Sequence, residues 1–168
     1  MWALAEMFRC FERKRGVSGL NELEAWGNNW QDRSISDLLA KCLREEVVFE
    51  SEPVTGELVI LGSPSAALHI LPNRPDVQVH VELYDVSAEE KAVLICRGHL
   101  GTRSAVAGSH RLAEVVLATI CHQLSVGHRL RLVVANLNTT FAYPYFTHSC
   151  TRLFHDDERP SHLILPLA

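Results

Sequence analysis

Nothing in the 168 residues matches the Gly-x-Ser-x-Gly turn on which an α/β-hydrolase mounts its nucleophile, where small flanking residues let a strand bend sharply into a helix. Gly16-Val17-Ser18-Gly19 lacks the spacing, and Gly62-Ser63-Pro64-Ser65 puts a proline where the turn must become helix. The phosphate-cradling patterns Gly-x-Gly-x-x-Gly and Gly-x-x-x-x-Gly-Lys are missing as well. Catalysis by a familiar template is therefore not expected, and neither a catalytic residue nor a cofactor is assigned. No apolar run approaches the roughly 18 to 20 residues that cross a bilayer. Met1 to Gly16 interrupts its apolar positions with Glu6, Arg9, Glu12, Arg13, Lys14 and Arg15, so no membrane span and no signal peptide is predicted. Cys-x-x-Cys pairs are also lacking. Five cysteines, odd in number and widely spaced, predict reduced thiols in a cytoplasmic setting. Asn138-Thr139-Thr140 fits the glycosylation pattern but comes without a secretory signal. Charge of one sign is not in excess either: 16 basic and 20 acidic residues give a formal net charge of −4, which offers no global attraction to nucleic acid or to an anionic membrane.

What is present is ordinary globular composition, 47% apolar and 21% charged, at a length suited to one domain with a small appendage. Residues 1–46 carry helical spacing. Leu4, Met7, Phe8 and Phe11 recur at intervals of three and four, which predicts an amphipathic helix stopped by Gly16, with Arg13-Lys14-Arg15 as its C-terminus. A second helix is expected after Ser34 or Ser36, of which Ser36 can cap it, through Leu38, Leu39, Cys42 and Leu43 to about Glu46. Between them, Trp26 and Trp30 fall in a loop-like stretch that either packs locally or docks a partner.

From Val47 onward, prolines and glycines cut the chain into strand-length pieces. The expected strands are 57–61, 66–71, 77–86, 92–100, 112–121, 129–135, 151–154 and 162–165. Short strands without interleaved helices predict a mainly β, antiparallel sandwich rather than a parallel α/β sheet. Val77, Val79, Val81 and Leu83 alternate with Gln78, His80, Glu82 and Tyr84, which implies one buried and one wetter face. Ser125 to Val134 is a Gly-His turn opening a strand with Leu130, Leu132 and Val134 on one face and Arg129 and Arg131 on the other.

Nine histidines invite a metal reading, with Cys121, His122, His128, His148, Cys150 and His155 as the tempting set. Zinc needs three or four converging ligands, usually with a short-spaced pair, and the best pair here is only His148-x-Cys150, so no metal site is assigned. Arg129 and Arg131 either bind an anion or pair with acids on the next strand, the second being the favoured reading. Phe141, Tyr143, Tyr145 and Phe146, around Pro144, form the candidate ligand-binding patch, with loop and core packing as the plainer alternative.

Several of these segments stand in a recognisable order. Phe49 to Gly56 (Phe-Glu-Ser-Glu-Pro-Val-Thr-Gly), Val81 to Val86, Ile95 to Leu100, Gly127 to Leu132 and Phe154-His155-Asp156 to Pro160-Ser161-His162-Leu163-Ile164-Leu165-Pro166 together resemble the C-terminal non-catalytic domain of X-Pro dipeptidyl-peptidases and cocaine-esterase-like (CocE/NonD) serine hydrolases. The resemblance covers residues 47–168; it departs from the family's pattern over Asn136 to Pro144, and residues 1–46 are expected to form a helical leader, with 6–16 faintly similar to the helix that ends the hydrolase domain. It implies a jelly-roll, galactose-binding-like sandwich and a role in shaping or gating the active site of a catalytic α/β-hydrolase domain or subunit. Hydrolase activity of the dipeptidyl-peptidase or esterase type attaches to this chain only through that association. The expected partners are that hydrolase, or a second copy through self-association, with no nucleic acid and no membrane. A free-standing carbohydrate- or peptide-binding sandwich is the alternative, and it rests on fold analogy.

Overall fold

Alternation decides the architecture: Leu130, Leu132 and Val134 point into the same core as Val77, Val79, Val81 and Leu83 from the strand beside them. A computed structural model describes residues 14–16, 45–136 and 150–168. Eleven strands are described there: β1 Lys14–Gly16, β2 Glu46–Glu50, β3 Leu58–Gly62, β4 Ser65–Pro72, β5 Val77–Val86, β6 Ala92–Thr102, β7 Arg111–Val116, β8 Ile120–Leu124, β9 Arg129–Ala135, β10 Thr151–Phe154 and β11 His162–Ile164. All pairings are antiparallel. One sheet runs β1-β2-β9-β5-β6. A second is built on β4, with β7 along one edge and the short strands β10 and β11 sharing the other. A two-stranded ribbon, β3-β8, completes the set. Among the described residues there is no helix, and so none long and apolar enough to cross a membrane.

The three sheets share one core. Ala66, Leu68 and Ile70 of β4, Ala113 and Val115 of β7, Ile60 and Leu124 of the ribbon, and Leu163 and Leu165 near the C-terminus meet the inward residues of β5 and β9. Each fully buried Leu, Ile or Val contributes roughly 1.5–3 kcal/mol of transfer free energy, and a contiguous cluster of this kind needs neither disulfide nor metal to hold it. The described thiols Cys96, Cys121 and Cys150 are free, and burial pushes that of Cys96 up to about 11.

Four expectations require correction. Lys14–Gly16 is a strand paired with the edge of β2, not the end of a helix, and Glu46 opens β2 where a helix was expected to close; backbone pairing overrides helical spacing here. The single strand expected over 112–121 is two. Leu117 leaves β7 and crosses to the five-stranded sheet, bridging Gly98, with its amide donating to Pro64 O at 2.8 Å and the Ala118 amide to Arg97 O at 3.0 Å. The even-numbered face of β5 is not wet: His80 and Glu82 are 1% and 5% exposed. His80 stacks on His99, directly opposite on β6, with centroids 4.6 Å apart, and the Tyr84 hydroxyl donates to Glu82 at 2.8 Å. The helix of Leu4 to Phe11, Trp26 and Trp30, nearly all of the second helix, His148 and the patch of Phe141, Tyr143, Tyr145 and Phe146 lie outside the described residues.

Candidate functional site

The chemistry-bearing side chains gather at the rim of the five-stranded sheet. A bulge at Leu83/Tyr84 marks the last part of β5, and Asp85 beyond it is 9% exposed. His122 comes from β8 and His128 from the turn that opens β9. That turn is closed by the His128 amide on Ser125 O at 3.0 Å and carries Gly127 at φ 82, a backbone state glycine adopts without steric cost. The two oxygens of Asp85 are divided between the rings, Oδ2 to His122 Nε2 at 2.9 Å and Oδ1 to His128 Nδ1 at 2.7 Å. The carboxylate accepts, so it selects the Nε2–H form of His122 and the Nδ1–H form of His128. One nearly buried carboxylate thus ties the ribbon and the turn to the end of β5.

A carboxylate on the Nδ1 side of an imidazole is half of the arrangement that activates a serine. No serine or cysteine side chain among the described residues is hydrogen-bonded to a histidine ring. Two buried serines are engaged with backbone instead. Ser51 donates to Glu52 O at 2.9 Å and accepts from the Leu130 amide at 3.0 Å. Ser161 donates to Phe154 O and accepts from the His69 amide at 2.9 Å, filling the break in the β4 ladder between β10 and β11. Of the possible metal ligands, His122 and His128 come together, but on different oxygens of one carboxylate. His155 packs edge-on to Phe49 with centroids 5.7 Å apart, and the Cys150 backbone is paired with Asn73. Among the described residues no three such groups converge on a metal position.

Arg129 and Arg131 follow the reading in which they pair with acids on a neighbouring strand. Glu50 of β2, opposite Arg131 in register, bonds both guanidinium groups, and Glu90 reaches Arg129 from the β5–β6 turn. Burial works to raise the Glu50 carboxyl, but Arg131 and Arg129 outweigh it and hold it below its ordinary value. The Glu90 carboxylate in turn raises Arg129, against the opposing effect of burial. Glu90 sits at φ 65, an uncommon backbone state for a non-glycine residue. Alternation exposed the arginines in the sequence. Glu50, Glu90 and Asp85 were not singled out, because a charge on another strand or turn leaves no mark in local spacing.

A small apolar cleft is lined by Phe49 and Leu132 of the five-stranded sheet, Leu68 and Leu163 of the sheet built on β4, and His155, Ser161 and His162. The segment after β10 is held by contacts of its own: Arg159 pairs with Asp156 at 3.0 Å and lies 4.1 Å over the Phe154 ring. Three of the segments that carry the sequence resemblance, those of Phe49, of Leu132 and of His155 to Ser161, therefore meet here. The second of them also meets a fourth, Val81 to Val86, where Asp85 bonds His128.

A family model described as the X-Pro dipeptidyl-peptidase C-terminal non-catalytic domain matches residues 34–161. The chain belongs to this family. Among solved structures, an alpha-amino acid ester hydrolase is similar over 73% of this chain at 20% identity and a TM-score of 0.62. An aminopeptidase from a marine sediment Thaumarchaeota archaeon is similar over 73% at 16% identity and a TM-score of 0.61. A CocE/NonD family hydrolase from Staphylococcus aureus is similar over 74% at 12% identity and a TM-score of 0.63. These identities speak for a shared fold. The matched part amounts to 25%, 26% and 31% of those three chains, so this domain corresponds to between a quarter and a third of each. No curated protein sequence matches.

Proposed function

We propose that this chain is the accessory β-domain of an X-Pro dipeptidyl-peptidase or CocE-type serine hydrolase and shapes or gates the active site of a catalytic α/β-hydrolase domain or subunit. The observation that carries the reading is the match of a non-catalytic hydrolase domain over residues 34–161. The similar structures support it, since each is a hydrolase or aminopeptidase of which this fold forms a minor part. In this reading, sheets around one core form a jelly-roll sandwich of the galactose-binding type. Residues 1–46 are a leader that follows a hydrolase domain and lends Lys14–Gly16 to the sheet edge, and 47–168 carry the rest of the sandwich. The loop with Phe141, Tyr143, Tyr145 and Phe146 is the part offered to the partner or its ligand. The three cysteines among the described residues are free thiols, which agrees with a reducing, cytoplasmic setting.

The test uses the purified full chain, a fluorophosphonate probe, and Xaa-Pro-anilide and small-ester substrates. The chain alone is expected to take no label and turn over no substrate. Immobilised, it is expected to retain from its own cells a protein that the probe labels on serine. Labelling of the chain itself, or retention of no labelled hydrolase, overturns the proposal.

A further inference from the structure

The five-stranded sheet is buried on both faces. Val77, Val79, Val81 and Leu83 of β5 and Leu130, Leu132 and Val134 of β9 turn into the shared core, so His80 and Glu82 of β5 and Val133 and Ala135 of β9 lie on the opposite face. There they are 1%, 5%, 6% and 3% exposed. An antiparallel sheet commonly leaves its second face to water, and neighbours within a sheet flank a side chain without roofing it. The other strands supply no roof among the described residues: β3, β4, β7, β8, β10 and β11 send their apolar side chains into the core on the first face.

The connection from β1 to β2 has the position and the length to supply one. These strands are antiparallel neighbours with Gly16 opposite Glu46, and such neighbours ordinarily need only about two to five residues between them. Here residues 17–45 intervene, and both ends of that stretch lie at one end of this sheet. Glu46 stands opposite Ala135, Ala135 opposite His80, and His80 opposite His99, so the connection leaves and returns beside the row where burial is deepest. Its last residue is tied there: the Glu45 amide donates to Asn136 Oδ1 at 2.9 Å, and the Asn136 amide donates to Glu45 O at 3.1 Å. From β2 to β6 is three strand spacings, about 14 Å, and roughly thirty residues reach across and back even at the ~1.5 Å per residue of a helix. The family match begins at residue 34, inside this connection, which makes 34–44 part of the matched domain.

We propose that residues 17–44 cover this face, with the apolar stripe Leu38, Leu39, Cys42 and Leu43 on Val133 and Ala135. The stripe ends two residues before Glu45 and is therefore delivered beside Ala135. Residues 137–149, by contrast, must join Asn136 to Cys150, which is bonded to Asn73 just past β4 of the other sheet. Residues 1–13 enter β1 at Lys14, opposite Val48, from the far end of the pairing. With its own chain on this face, the sandwich meets any second domain elsewhere. The inference does not depend on the hydrolase reading.

A photo-crosslinking side chain placed on the same face tests the assignment in the full chain, as Gln78→benzoylphenylalanine, a half-buried position two residues from His80. On irradiation it is expected to join residues 17–44 of the same molecule, identified by peptide mass spectrometry. Crosslinks only to 1–13, to 137–149 or to a second copy overturn the proposal, and so does the absence of any crosslink. Hydroxyl-radical labelling of the unaltered chain needs no substitution: Leu38, Leu39 and Leu43 are expected to oxidise at least about fivefold more slowly than in urea, because a packed side chain meets solvent only through local opening. Oxidation of these leucines at the rate seen in urea overturns it as well.

Discussion

Replacing Gly98 with alanine tests a close backbone approach between β6 and the end of β7. A Cβ built there lies 2.4 Å from Val116 O, 3.0 Å from Val116 C and 3.1 Å from Leu117 Cα, and all three are backbone atoms. No side chain can rotate to make room. The strands must separate by several tenths of an ångström where Leu117 bridges Gly98 and where the Ala118 amide donates to Arg97 O. Overpacking of this sort costs about 1–3 kcal/mol. Stretching a buried backbone hydrogen bond adds about 1 kcal/mol, for a total near 2–4 kcal/mol. At a urea slope of roughly 2 kcal/mol per M the midpoint should fall by about 1–2 M, with the slope unchanged. Gly56→Ala is the control, because its added Cβ meets nothing within 4 Å, and the midpoint should move little or rise slightly. If Gly98→Ala unfolds within about 0.5 kcal/mol of the parent, the crossing is looser than these distances state and the account of the layer contact fails.

Ser161→Ala removes the hydroxyl that bridges the His69 amide and Phe154 O, leaving half-buried backbone groups unpaired; a loss of about 1–3 kcal/mol in urea unfolding is expected, and a neutral outcome would show that water replaces it. Asp85→Ala and His122→Ala should be non-additive in a double-mutant cycle, with a coupling of about 0.5–3 kcal/mol, since one bond serves both; strict additivity would remove the clasp as an energetic unit. Stability should fall on acidification in two steps. Burial holds the His99 imidazole below its ordinary 6.5, so the unfolded chain takes up that proton first as pH drops. The Glu50 carboxyl is held below its ordinary 4.5, so its contribution is whole above that value and is lost as pH falls through the lower folded-state value. Urea midpoints at pH of about 8, 5 and 3.5 should decline in that order, and a midpoint that rises on acidification would contradict both assignments.

Elements whose residues carry their own periodicity were legible in the sequence. Residues 77–86 and 129–135 show bounds in the structure identical to those read from alternation, because a strand with one buried face writes a period of two into its residues. Where alternation was real but the covering of the other face was not local, the reading failed. His80 and Glu82 look like solvent-facing residues until His99 and Tyr84 are known to lie beside them. The break at Leu117 was hidden for a related reason: the run from Leu112 to Cys121 is apolar enough to continue, and what ends it is a glycine on a different strand. β2 was missed because Glu46 to Glu50 shows intermediate burial at every position and so no contrast between faces. The site followed the same rule. The arginine pair was visible, and its acids, on another strand and in a turn, were not.

The engagement of the reactive-looking groups bears on the accessory role proposed for this domain. A nucleophile or general base must keep a lone pair aimed at substrate, whereas here Ser51 and Ser161 each both donate and accept within the backbone. Asp85 divides its oxygens between two rings, and Glu50 is shared by two guanidinium groups. These are interactions between strands and turns far apart in the chain, from residue 50 to residue 131 and from 85 to 128, and they fix the rim of the sheet. A rim fixed in this way can hold loops in place without rearranging, which is the property that the proposed shaping of an active site from outside would require.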